Sequence, residues 1–186
     1  MQEYKLISGC ISGHRKAQSE LYALYAGKFY GICLRYASCQ AEAEDMLQEG
    51  FIKIFSSLKS YRAEGSFEGW MKRIIVNNAL NHIRSHFRHL NTTSFEDVDV
   101  ENLQETEDEV PTFEQIPIEI LLRFVQGLPE GYRMVFNLYV FENYTHKQIA
   151  ELCSISENTS KTQLMRARNL LQKKIIGISQ HAILQP

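Results

Sequence analysis

A set of interleaved aromatic, amide and cationic residues between positions 61 and 88 is suited to bind nucleic acid. Flat rings stack on unpaired bases, and Arg and Lys neutralise the phosphate backbone, as single-stranded nucleic acid requires. Phe67 and Trp70 are also spaced as core residues of a helix, and we expect Trp70 to be at least partly buried. The set comprises Tyr61, Arg62, Phe67, Trp70, Lys72, Arg73, Asn77, Asn78, Asn81, Arg84 and Arg88.

The stretch 144–175 predicts two helices joined by a tight turn. Thr145 and Gln148 have the spacing of a capping box, Ser154 lies in the turn, and Ser156 can cap a longer helix that ends near Ile176. The lengths fit a helix-turn-helix, although a hairpin that only closes a core has the same pattern. The predicted inner face is Ser160, Leu164, Ala167 and Leu171, and the predicted outer face is Asn158, Lys161, Thr162, Met165 and Arg166.

Three carboxylates could share one helix face, since Glu42, Asp45 and Glu49 stand at i, i+3 and i+7. A di-metal site would need Glu-x-x-His on facing helices, and the sequence does not supply that spacing. We therefore expect an exposed acidic face that could dock on a basic partner, with no metal and no cofactor.

His82, His86 and His89 also share a spacing that could suggest a metal, but no acidic residue lies near them in the sequence. A Gly-rich phosphate loop and a nucleophile with plausible partners are both missing. The sequence therefore gives no support for an enzyme.

Helical periodicity runs through most of the 186 residues, of which 44% are hydrophobic, and no strand-like alternation is present. The predicted helices before position 90 cover 15–38, 41–58 and 67–88. Those after position 117 cover 118–126 and 133–141, with Pro129 in a first turn, followed by the two helices of the hairpin. We predict an all-α fold.

An acidic segment divides the chain. Residues 91–116 contain nine Asp and Glu and no Lys or Arg, which leaves 13 acidic against 20 basic residues elsewhere, a charge of +7. With Pro111 and few large apolar residues, the segment is typical of a flexible linker. We predict two small helical domains, 1–90 and 117–180, joined by a linker at 91–116. No apolar run of bilayer length or secretory signal is present, so we expect a cytoplasmic protein without membrane insertion.

In combination these segments resemble the sigma factors of bacterial RNA polymerase, specifically the small extracytoplasmic-function group of the sigma-70 family. AEDMLQEGFIKIFSSL (43–58) is similar to the family's core-polymerase docking helix, and FEGWMKRIIVNNALNHIR (67–84) to its minus-ten promoter segment. The stretch from Leu128 to Leu171, which includes RAR at 166–168, is similar to its minus-thirty-five-binding domain.

The resemblance implies a factor that directs polymerase core to promoters and assists promoter melting. It implies that Asp45, Gln48, Glu49, Phe51 and Ile54 contact the clamp helices of the largest subunit. It places Tyr61, Arg62, Phe67, Trp70, Lys72, Arg73, Asn77, Asn81 and Arg84 at the minus-ten element, with the turn 61–66 capturing a flipped base. It places Asn158, Lys161, Thr162, Met165, Arg166 and Arg168 at the minus-thirty-five element, with Arg168 on phosphate. The flap of the second-largest subunit, promoter DNA and an anti-sigma factor are the further partners it implies.

Several positions depart from the usual family pattern. Asn81 replaces an Asp, which removes a negative charge near Arg84, and Asn158 and Ser160 stand where Gly and Val are frequent. Ser154 stands where the turn often has Gly, so we expect strain there.

Two other classes of function remain open from the sequence. A conventional helix-turn-helix repressor or activator would explain the second half but leave 43–84 without a role. In a purely protein-binding helical module, the Lys and Arg side chains would only be part of the solvated surface and would not contact nucleic acid.

Overall fold

The computed structural model describes residues 2–89 and 116–183, and the side chains of 3–85 and 116–178. Within these ranges the chain forms eight α-helices, one short 3₁₀ turn and no strand, which confirms the all-α prediction. The helices fall into two compact units, one ending at His89 and the other containing all later helices. Nearly all of the predicted acidic linker lies outside the described residues.

The first unit contains four helices: α1 (Gln2–Ile11), α2 (Arg15–Tyr36), α3 (Gln40–Ser57) and α4 (Phe67–His89), with the 3₁₀ turn Leu58–Ser60 after α3. The sequence predicted α2, α3 and α4 to within a few residues but not α1. That helix is short, and its apolar face is limited to a few residues, among which Ile7 and Cys10 are buried. It packs against α2 so closely that a Cβ at Gly9 would come within 2.8 Å of the Ala17 Cβ.

The core of the first unit lies where α2, α3 and α4 meet. Phe29 on α2, Ile54 on α3 and Ile75 on α4 have no exposed surface. Burial of such side chains contributes roughly 1.5–3 kcal/mol each, which holds the three amphipathic helices together. The opposite faces of α3 and α4 are left to solvent.

A buried amide joins α3 to α4. Asn78, which is 2% exposed, donates from Nδ2 to the Met46 carbonyl across 2.9 Å and accepts a hydrogen bond from the Lys53 ammonium. Beside it, Gly50 leaves no room for a larger residue, because an added Cβ would collide with Ile75 Cδ1. The sequence interpretation grouped Asn78 with nucleic-acid-binding residues, and that grouping is corrected, since its side chain serves the core.

The second unit contains α5 (Ile118–Gln126), α6 (Glu130–Val140), α7 (His146–Cys153) and α8 (Glu157–Ile183). Its core includes a cluster of α5, α6 and α8 residues and the turn after α5: Val125, Leu128, Tyr132, Ala167 and Leu171. Helix α6 begins three residues earlier than predicted, because Pro129 precedes the helix and its carbonyl accepts from the Arg133 amide at 2.8 Å. Helix α8 continues beyond the predicted end near Ile176.

Candidate interaction surfaces

The outer face of α3 carries a row of exposed side chains. Asp45, Gln48 and Glu49 are exposed, as the sequence predicted, and they stand at i, i+3 and i+4. Glu42 does not belong to this free face. Its carboxylate accepts from the Ser38 hydroxyl at 2.6 Å and lies 3.4 Å from His82 Nδ1 on α4.

The apolar members of that predicted docking set do not reach the surface. Phe51 is 3% exposed and Ile54 is fully buried, because both point into the core between α2 and α4. The apolar side chain on the outer row is instead Ile52, which is 67% exposed and stands one turn beyond Gln48 and Glu49. Its i+7 spacing from Asp45 was visible in the sequence and was missed.

A pocket of about 430 Å³ opens between the 3₁₀ turn and the start of α4. It is lined by Ser60, Tyr61, Arg62, Glu64, Gly65, Ser66, Gly69, Trp70 and Arg73. The loop that forms it is ordered locally: the Tyr61 hydroxyl donates to the Gly65 carbonyl at 2.8 Å, and Ser66 Oγ accepts from the Gly69 amide at 3.1 Å. The pocket therefore combines aromatic walls, a cationic rim and backbone polar groups.

Three rings meet at the base of this pocket. The Tyr61 centroid is 5.3 Å from that of Trp70 and 5.1 Å from that of Phe67, and Phe67 is stacked on Trp70 at 5.8 Å. Tyr61 and Trp70 are half-buried and present part of their rings, whereas Phe67 is only 1% exposed. The expectation that Phe67 contacts nucleic acid is therefore corrected, since it supports the other two rings from below.

The outer face of α4 continues from the pocket as a polar row. Arg73, Asn77 and Asn81 are exposed at steps of four residues, and Arg84 is half-buried one turn further along. Lys72 is half-buried and lies about 140° around the helix from this row. The structure therefore brings Trp70, Arg73, Asn77, Asn81 and Arg84 to one side and separates Lys72 from them.

In the second unit, α7 and α8 form the predicted helix-turn-helix with its predicted caps. Thr145 Oγ1 accepts from the Gln148 amide at 3.3 Å while Gln148 Oε1 accepts from the Thr145 amide at 2.9 Å, which completes the capping box. Ser156 Oγ accepts from the Thr159 amide at 2.9 Å and begins α8. Ser154 has φ 56° and ψ 43°, the left-handed conformation that the family's glycine would adopt without strain.

The two faces of α8 are sorted as the sequence predicted except at Arg166, which was predicted to face outward and is half-buried. Ser160, Leu164, Ala167 and Leu171 are all buried. Four predicted outer residues are exposed: Asn158, Lys161, Thr162 and Met165. The exposed fraction of Met165 is 51%. These four residues are called the α8 outer row below.

The two arginines after that row lie at its edges. Arg166 is half-buried and its Nη1 donates to the Tyr132 hydroxyl at 3.3 Å, so part of its guanidinium is occupied by the core of the second unit. Arg168 is exposed, with its guanidinium carbon 5.7 Å from the centre of the Tyr139 ring. Both cations remain beside the outer row, but neither is at its centre.

The described residues contain no group of three or more His, Cys, Asp or Glu side chains placed to hold a metal ion. The side chains of His86 and His89 are outside the described part, and His82 faces Glu42. Across the same described ranges, none of the helices is long and apolar enough to cross a bilayer.

Known families match both units. A model of Sigma-70 region 2 matches residues 21–89, and a model of Sigma-70 region 4 matches residues 118–171. The sigma-E factor of Haemophilus influenzae, an extracytoplasmic-function RNA polymerase sigma factor, is 28% identical over 182 residues, which cover 94% of this chain and 96% of that protein. The sigma-E factor of Escherichia coli K12 is 26% identical over 177 residues, covering 91% and 92%.

A solved structure shares the fold. The sigma factor RpoE of Bartonella quintana, solved with the anti-sigma factor NepR, superposes with a TM-score of 0.51 at 17% identity, covering 83% of this chain and 94% of that one. The two family models and the sigma-E relatives define the class: the chain belongs to the extracytoplasmic-function group of the sigma-70 family. It is a sigma factor that acts with RNA polymerase core and promoter DNA in transcription initiation, and this family is in general not a class of enzymes.

Proposed function

We propose that the two units divide the work of initiation: the first binds polymerase core and opens the minus-ten element, and the second binds the minus-thirty-five element as duplex. The main support for assigning promoter opening to the first unit is the pocket at Tyr61 and Trp70, which continues directly into the polar row of α4. A concave aromatic site followed by cations and amides fits an unpaired base and the strand attached to it. The helix-turn-helix of the second unit fits a major groove.

Core binding is assigned to the outer face of α3. Asp45 and Glu49 supply the negative charge that steers the helix to a basic surface, and Ile52 supplies apolar area between them and the end of the helix. We infer that this face contacts the clamp helices of the largest subunit. Phe51 and Ile54 contribute by holding α3 in place.

Promoter opening is assigned to the pocket and the α4 row. A base that leaves the duplex stack loses its neighbours, and the exposed parts of the Tyr61 and Trp70 rings replace them. Arg62 and Arg73 on the rim neutralise the adjoining phosphates, and Asn77 and Asn81 can hydrogen-bond base edges or backbone. The pocket volume is within the range typical of small-molecule sites.

The second unit carries a further exposed apolar patch at the end of α6. Val140 and Phe141 are each 40% exposed, and Phe141 packs edge-on against Phe136 at 6.0 Å. Contiguous apolar surface that is exposed commonly marks protein-binding sites. We infer that this patch receives the flap of the second-largest subunit.

We infer that the chain itself catalyses no step and that it acts in the cytoplasm, where its polymerase partner and promoter DNA are. An anti-sigma factor is included among the proposed partners because the Bartonella protein of the same fold binds one. Co-purification from cells with a tagged chain tests for such a partner.

Transcription-start mapping tests the proposed function. The protein is added to core polymerase of its source with genomic DNA, and new starts are expected at promoters that share two elements. Folded protein that produces no new starts with active core would overturn the proposal. Tight binding to a specific duplex without polymerase would favour a conventional repressor or activator. Unchanged transcription after replacement of Lys161 and Arg166 would favour a protein-binding module.

A further inference from the structure

A polar contact joins the two helices of the helix-turn-helix at a buried position. Ser160, on the inner face of α8, has no exposed surface, and its Oγ is 2.9 Å from Nδ1 of His146, the first residue of α7. A valine could make no such bond at position 160. This chain therefore joins its helices in a way that needs both residue types.

The His146 ring is also fixed from α6. It is stacked on Tyr139, with ring centroids 4.7 Å apart and planes inclined by 25°. The guanidinium of Arg168, a residue of α8, lies over the same Tyr139 ring. His146 of α7 thus contacts α8 at Ser160, and Tyr139 of α6 contacts it at Arg168, eight positions further along. We call Tyr139, His146, Ser160 and Arg168 the clasp.

The charges around the clasp favour a neutral histidine. Burial lowers the pKa of His146 from its ordinary value of 6.5; Lys161 and Arg168 of α8 lower it too, while Glu157 opposes them. With Tyr139 of α6, these are the charged and titratable groups that face the ring from the packed helices. In the neutral ring Nδ1 either accepts from the Ser160 hydroxyl or donates to it, according to the tautomer.

We propose that His146 is a positioning residue for minus-thirty-five recognition: held on Tyr139, its neutral ring binds the Ser160 hydroxyl and sets where the α8 outer row lies relative to α7. Ser160 immediately precedes Lys161 and Thr162 on the same turn, so any displacement of Ser160 moves both. Contacts to base edges carry the sequence information and contacts to phosphate do not, so a displaced outer row lowers discrimination between DNA sequences. The inference rests on the proposed function of α8.

The ratio of the affinities for two promoters distinguishes a positioning role of His146 from a role in stability alone. Holoenzyme made with the full chain is bound to a promoter found by start mapping, and to the same promoter with its minus-thirty-five element scrambled. His146→Phe keeps a ring on Tyr139 but leaves Ser160 without this partner, and Ser160→Val removes the hydroxyl. Each single change should lower the ratio of the two affinities about fivefold. The double variant should return to within about twofold of the wild type, because it removes both polar partners together.

Gln148→Ala is the matched control. It removes the capping box of α7 and destabilises the same unit without touching the clasp, so the ratio should stay within about twofold of the wild type. A pH series gives an independent signature. The wild-type ratio should fall only at pH values below the ordinary pKa of histidine, because the pKa of His146 is lowered and the ring gains a charge beside Lys161 and Arg168 only there, and the ratio should not change over the same series for His146→Asn.

Three results would overturn the inference: folded single variants with an unchanged ratio, a double variant no better than the singles, or a control that lowers the ratio equally. A wild-type holoenzyme that shows no preference for the intact minus-thirty-five element would instead overturn the proposed function of α8, and the clasp's role with it.

Discussion

Replacing Ile52 by alanine should weaken binding to polymerase core without weakening the fold. Ile52 is 67% exposed on the outer row of α3, between the carboxylates and the end of the helix. An interface that covers this row would bury most of the side chain. The same residue contributes little to the free protein, since its exposed part contacts solvent.

The size of the effect follows from that exposure. Complete burial of an isoleucine side chain is worth about 1.5–3 kcal/mol, so burial of the exposed two thirds is worth about 1–2 kcal/mol. Alanine retains only a small part of this area. The dissociation constant for core should therefore rise roughly fivefold to thirtyfold, while the free energy of unfolding changes by less than about 0.5 kcal/mol.

The measurement is a competition titration in which unlabelled variant displaces labelled wild-type protein from purified core polymerase. Leu24→Ala is the matched control, because Leu24 is a similar aliphatic residue, 64% exposed, on α2 and outside the proposed face. It should leave the dissociation constant unchanged. Equal affinities for Ile52→Ala and wild type, or an equal loss in the control, would refute the assignment of this face.

Three further changes test other parts of the structure. Ser154→Gly should stabilise the second unit by about 0.5 kcal/mol in urea unfolding, because relief of the left-handed strain exceeds the added entropy of the unfolded chain; a lower stability would show that the turn is unstrained. Asn78→Ala should cost about 1–3 kcal/mol of stability, because it removes the side-chain hydrogen bonds that join Asn78 to the Met46 carbonyl and to Lys53, whereas exposed Asn77→Ala should cost almost none. Lys161→Ala should reduce the salt slope of promoter binding by about one, and exposed Lys16→Ala should not; equal slopes would remove Lys161 from the phosphate contacts.

The sequence predicted the fold well because hydrophobic periodicity is strong in the long helices. Phe29, Ile54 and Leu164 all lie where a 3.6-residue period places them. It failed at α1, whose ten residues include too few apolar positions to distinguish a helix from an irregular end. The start of α6 also differed, because Pro129 fits both the first turn and the position before it.

The exposure of the proposed site residues was predicted less well than the helices, because a motif gives residue identity but not the direction in which a side chain points. Phe51 and Phe67 fit the family's pattern and are nevertheless buried, while Ile52, one position away from Phe51, is exposed. Counting 100° per residue around α3 would have sorted these two. No such count could have found the clasp, since the meeting of His146 and Ser160 depends on how α7 crosses α8.

Asn78 and Gly50 join the helices that carry the proposed polymerase-binding and minus-ten surfaces within the first unit. The outer faces of α3 and α4 carry the two proposed contacts, and their inner faces meet at the Asn78–Met46 hydrogen bond, where glycine allows close approach. Because a buried amide bonded to a main-chain carbonyl fixes one relative position of two helices, α3 and α4 cannot slide independently. A polymerase that holds α3 therefore also fixes where the Trp70 pocket is presented to DNA. Asn78, although 2% exposed, therefore bears on the proposed minus-ten surface through the packing of α4 rather than through contact with DNA.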